Sequence, residues 1–153
     1  MNIKTNPSNL LQKEISMGFK DRFPKGSGIE LFHSETLDVH SESCQNFVKT
    51  IKAEIEGHKA KNEGHRYLVI HIGVNSGLKN FELQLESKCY NSSNFKDGNV
   101  YVKDSKEPIH KENELDSAIC TKLPLEKIEK NLEKNHPHVK ISVDPGRYLC
   151  NYI

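Results

Sequence analysis

Tyr67-Leu68-Val69-Ile70-His71-Ile72-Gly73-Val74 is the stretch on which the fold turns. It is nearly continuous in apolar residues, as a strand covered on both faces is; a strand with one wet face would alternate. It runs into a loop of small residues, Asn75-Ser76-Gly77. A strand covered on both faces needs helices above and below it, which points to an α/β domain with a mostly parallel sheet.

The flanking chain supplies such helices. Asn6-Pro7-Ser8-Asn9 is a helix start, because proline suits the first helical position and asparagine caps it; Leu10, Leu11 and Ile15 then fall on one face. Phe23-Pro24-Lys25-Gly26-Ser27-Gly28 is a loop, and Ile29-Glu30-Leu31-Phe32-His33 alternates like a strand. Ser41 or Ser43 caps a second helix with Phe47, Val48, Ile51 and Ile55 on one side, fraying between Gly57 and Gly64.

Downstream, Phe81-Glu82-Leu83-Gln84-Leu85-Glu86 alternates as a strand. Residues 88–111 are polar and turn-rich and read as a surface excursion; residues 113–121 fit more than one element. Leu125 to Lys134 is an amphipathic helix with Ile128 and Leu132 inward, and Val139 to Val143 is the last strand. Asp144-Pro145-Gly146 then makes a tight turn, and a helix begins as Cys150 arrives.

Bulk properties set the outer limits. The 153 residues suit a single domain, residues 1–153. With 22 basic against 21 acidic residues the net charge is +1, so nothing favours nucleic acid or an anionic membrane as a partner. No run approaches the ~20 apolar residues of a membrane span, and the N-terminus lacks the apolar core of a signal peptide, so a cytoplasmic location is expected. Cys44, Cys89, Cys120 and Cys150 form no C-x-x-C pair and read as free thiols. Asn91-Ser92-Ser93 is a formal glycosylation sequon, expected to be fortuitous, and His136 and His138 read as solvated loop histidines rather than metal ligands.

In open α/β sheets, functional groups gather at the carboxyl ends of strands. Two segments qualify: the loop after Val74 and the turn after Val143 that ends in Cys150. A thiol at a helix start faces unpaired N–H groups, which lowers its pKa and favours nucleophilic chemistry. The competing reading is a buried structural cysteine.

The run Gly146-Arg147-Tyr148-Leu149-Cys150-Asn151 resembles the nucleophile turn of the pyroglutamyl-peptidase I family, with Pro145 where the family usually has alanine. Leu68 to Val74 with Ser76-Gly77 resembles the family's buried strand and glycine loop; Leu85-Glu86 resembles its acid-bearing segment, and Asn6-Pro7-Ser8 its early Asn-Pro-Ser. The likeness runs from about Asn6 to Ile153. It implies a soluble cysteine exopeptidase of phosphorylase/hydrolase-like fold that releases N-terminal pyroglutamate from peptides through a Cys-His-Glu triad, without metal or organic cofactor. Carried over, Cys150 is the nucleophile and Glu86 the acid. Gly73, Val74, Asn75, Ser76 and Gly77 line the pyroglutamyl pocket, and backbone N–H groups beside Cys150 form part of an oxyanion hole. Arg147 and Tyr148 are expected to pack rather than to touch substrate.

The chain departs from the family pattern in three places. The family's histidine lies beyond the cysteine, and nothing after Ile153 matches it; His71 lies near the end of a predicted buried strand but matches a non-catalytic position of the family. Met1 to Thr5 is too short and polar for the family's first strand, and Ser87-Lys88 stands where many members carry an arginine. The resemblance therefore implies an incomplete domain, lacking the first strand and the C-terminal strand and helix. The alternative to a working peptidase is an inactive relative or fragment that binds peptides or protein partners. Oligomeric state stays open.

Overall fold

The computed structural model describes residues 6–38, 40–75, 82–97, 100–101 and 108–152. In chain order the elements are α1 (Pro7–Arg22), α2 (Ser41–Lys59), β1 (Leu83–Glu86), β2 (Lys88–Tyr90), β3 (Lys96–Asp97), β4 (Val100–Tyr101), β5 (Ala118–Cys120), α3 (Leu125–Leu132), β6 (Val139–Ser142) and α4 (Leu149–Tyr152). The class is mixed α/β. Strands β1 and β6 pair in parallel, while β2 with β5 and β3 with β4 pair antiparallel.

Local chemistry explains the helix starts. Asn6 caps α1, its side-chain oxygen accepting from the Ser8 N–H at 3.0 Å, and Pro7 occupies the first turn. The second helix differs from expectation: His40 holds the cap position without a side-chain capping hydrogen bond, and Ser41 is already helical and buried.

The parallel pair is the best-packed part of the β structure. Leu83 stands opposite Val139 and Glu86 opposite Ser142. Helix α3 lies on β6, with Leu125 and Val139 buried. A carboxylate of α3 also closes the open edge of β6: the Ile141 N–H donates to Glu129 Oε1 at 2.9 Å. That contact occupies a donor that would otherwise be open to pairing with another chain.

Tyr67 to Val74, expected as a strand covered on both faces, forms no strand and joins no ladder among the described residues. Leu68, Val69 and Ile70 are 62%, 63% and 71% exposed, so this segment is not covered on both faces. A strand is defined by its neighbour, and none of the described segments pairs with this one. Ile29 to His33, expected to alternate as a strand, likewise forms no strand. Phe32 nonetheless meets Tyr67 edge-on, ring centroids 6.1 Å apart.

Within the turn-rich region, residues 88–97 and 108–111 are described, and Asn91 ties the two parts together. Asn91, from the sequon, is buried, and its amide donates to the carbonyls of His110, Asn113 and Glu114 at 3.0, 3.1 and 3.1 Å while its oxygen accepts from the His110 N–H at 2.7 Å. An amide used in this way is closed to glycosylation in the folded chain. Cys89 stands opposite Ile119 and Cys120 opposite Lys88, so the two thiols point to opposite faces of the β2–β5 pair, and all four cysteines are free.

Candidate functional site

The turn before Cys150 is built as its residues dictate. Asp144 Oδ1 accepts from the Gly146 N–H at 3.0 Å, and Gly146 has φ +75°, a conformation that favours glycine. The Gly146 N–H and then the Arg147 guanidinium, which donates from Nη1 to Asp144 Oδ1 at 2.8 Å, hold the Asp144 carboxyl below its usual pKa. The chain then enters α4. Leu149 is buried in a small core with Cys44 of α2 and Phe95, and Tyr148 meets Phe95 edge-on. With Leu149 turned inward, Cys150 as a residue stays exposed, while its sulphur lies half-buried against Gly73.

Gly73 presses on the sulphur. A Cβ added there would lie 2.7 Å from Cys150 Sγ, closer than real contacts allow. A side chain at this position would have to push the sulphur aside. Residues 71–74 and 148–150 share a cavity of about 150 Å³ with Asn6, Ser8, Asp38 and Cys44. Gly73 and Val74 thus stand beside Cys150, as the loop assignment requires. Asn75 lies further along and donates from Nδ2 to Gln84 Oε1 at 3.3 Å. Ser76 and Gly77 lie outside the described residues.

Cys150 is not the activated thiolate that a helix start suggests. Its pKa is raised from the ordinary 9.0: burial of the sulphur is the largest cause, its own backbone N–H pulls the other way, and the Glu86 carboxylate pushes it up further. Burial is the larger influence on this thiol, and α4 is a four-residue helix. Glu86, at the end of β1, is close enough to act on Cys150 through its charge.

His71 is the histidine that shares this cavity. Burial lowers its pKa below 6.5, and a hydrogen bond to the Cys150 backbone opposes the shift. Thiol and imidazole are therefore both neutral at pH 7. Among the described residues, no group of three or more His, Cys, Asp or Glu side chains could hold a metal ion, and no helix is long and apolar enough to cross a membrane.

Arg147 is a packing residue, as expected. Its guanidinium lies 3.9 Å from the Tyr90 ring centroid, and it donates from Nε to Ser92 Oγ at 2.8 Å and from Nη1 to the Gly146 carbonyl at 3.0 Å. Ser92 Oγ in turn donates to the Asp116 carboxylate. Asn151, which sequence reasoning passed over, is 4% exposed. Its Oδ1 accepts from the Tyr90 N–H at 2.7 Å, and its Nδ2 donates to the carbonyls of Tyr90 and Ser92 at 2.9 and 2.8 Å. An asparagine just after a cysteine gives no hint of partners some 60 residues away.

Searches against family models, curated proteins and solved structures return no match for this chain.

Proposed function

We propose that the chain carries a cysteine-peptidase site of the pyroglutamyl-peptidase type, with Cys150 as nucleophile and a peptide bearing N-terminal pyroglutamate as substrate. The observation that supports this best is the contact of Gly73 with Cys150 Sγ. It joins the two segments that the sequence resemblance assigns to pocket and nucleophile, 77 positions apart in the chain. In the proposed reaction the thiol loses its proton and the thiolate attacks the pyroglutamyl carbonyl. The C–N bond breaks, the shortened peptide leaves as a protonated amine, and water hydrolyses the thioester. Backbone N–H groups beside Cys150 stabilise the oxyanion.

The proton is the difficulty. In a working Cys–His pair the thiol pKa falls and the imidazole pKa rises; here both move the opposite way. His71 is in the proton-accepting form at pH 7, and Glu86 takes the acid's role. Turnover on this reading is slow, since lack of an effective general base costs ~10²–10⁴-fold. The same neutrality supports a second reading, peptide binding without cleavage.

Purified chain and Cys150→Ala are compared on a fluorogenic pyroglutamyl amide, with binding of a short pyroglutamyl peptide measured by calorimetry. Release that depends on Cys150 supports the peptidase. Binding without release supports the second reading, and neither binding nor release overturns both.

A further inference from the structure

Cys150 sits on the four-residue helix α4, whose turn is held by buried Leu149 and by Tyr148 against Phe95. Two polar anchors flank it. On one side Asn151 uses its whole amide on segment 90–92, replacing strand-to-strand hydrogen bonds with side-chain ones. On the other, Arg147 ties the turn to Ser92 and to the face of Tyr90, and the Arg147 carbonyl accepts from the Asn94 N–H at 2.7 Å. The Tyr90 hydroxyl closes the arrangement by donating to the Val143 carbonyl at 3.1 Å. Both anchors reach the short segment 90–94, which immediately follows the strand pairing of β2 with β5.

We infer that Asn151 and Arg147 are positioning residues for Cys150: by fastening the 144–152 turn to segment 90–94 they hold the thiol against Gly73. The inference rests on the reading of Cys150 as the nucleophile. Neither residue lines the cavity that holds the sulphur, so each acts through the backbone of the turn. The charged and titratable groups around the thiol are Glu86 at the end of β1, and His71, Asp38 and Cys44 of α2 in the shared cavity. Releasing the anchor moves the sulphur away from Gly73 into water and away from the Glu86 charge. Both changes ease ionisation.

The test is iodoacetamide alkylation from pH 7 to 10, resolved by mass spectrometry for each cysteine, on wild type, Asn151→Ala and Arg147→Lys. In Asn151→Ala the Cys150 rate at pH 8 is expected to rise about threefold or more, with its midpoint at lower pH, while Cys89 and Cys120 keep their wild-type rates. Arg147→Lys, which keeps the charge but loses the Nε bond to Ser92, is expected to shift Cys150 the same way by less. If Asn151→Ala exposes buried Cys44 along with the others, it has unfolded, and Arg147→Lys alone decides. A Cys150 profile that overlays wild type in a folded variant, whatever happens to melting temperature, overturns the positioning role. Alkylation needs no turnover, so an inactive wild type showing these shifts would overturn the peptidase reading and leave the positioning role standing.

Discussion

At the residue scale the site is governed by one sulphur and its surroundings. Three influences act on Cys150: burial raises its pKa, its own N–H lowers it, and Glu86 raises it. Removing the Glu86 charge therefore makes the thiol more acidic. Glu86→Gln is expected to increase Cys150 alkylation at pH 8 about two- to fivefold, read by the same mass spectrometry; a slower rate would show that Glu86 activates the thiol. Cys150 and Glu86 are legible as a nucleophile–acid pair only through motif resemblance, because spacing alone makes Glu86 an ordinary strand residue. Gly73 became informative only with coordinates, since its role is a close approach to a residue far along the chain. Asn151 was invisible for the same reason: its three bonds all go to backbone groups of β2 and the two residues after it.

At the element scale, short-range chemistry was legible and long-range pairing was not. Asn6-Pro7 and Asp144-Pro145-Gly146 carry their own geometry, and both formed as read. The helix at Leu125 and the strands at Leu83 and Val139 also formed, since each shows the periodicity of its type. The apolar run from Leu68 misled because hydrophobicity reports a preference for cover, while a ladder needs a partner in register. Val139 is 2% exposed and lies where α3 meets β6, so Val139→Ala is expected to cost about 2 kcal/mol in urea unfolding. A loss near zero would mean that α3 is not packed there. Hydrogen exchange separates chain in a ladder from chain outside one. Amides of Leu68 to Val74, without ladder partners, are expected to exchange far faster than those of Val139 to Ser142; equal protection would contradict this assignment of pairing.

At the scale of the whole molecule, two neutral groups bound the pH range of stability. His71 has a lowered pKa when folded, so below pH 6.5 the unfolded chain binds the proton more readily, and stability falls as pH drops through the folded value. Cys150 has a raised pKa, so above pH 9.0 the unfolded chain loses its proton first, and stability falls as pH rises. Thermal melts are expected to plateau between these limits and to decline on both sides; a maximum outside them would contradict the assignment. The same protonated thiol governs the proposed chemistry, since its reactive fraction grows about tenfold per pH unit until the pKa is reached. The most direct test is the rate of pyroglutamyl amide cleavage from pH 7 to 10 in wild type and Cys150→Ala. Cleavage that requires Cys150 and climbs steeply past pH 9 is the predicted result. A rate unchanged in Cys150→Ala, or one already level at pH 7, would contradict the account.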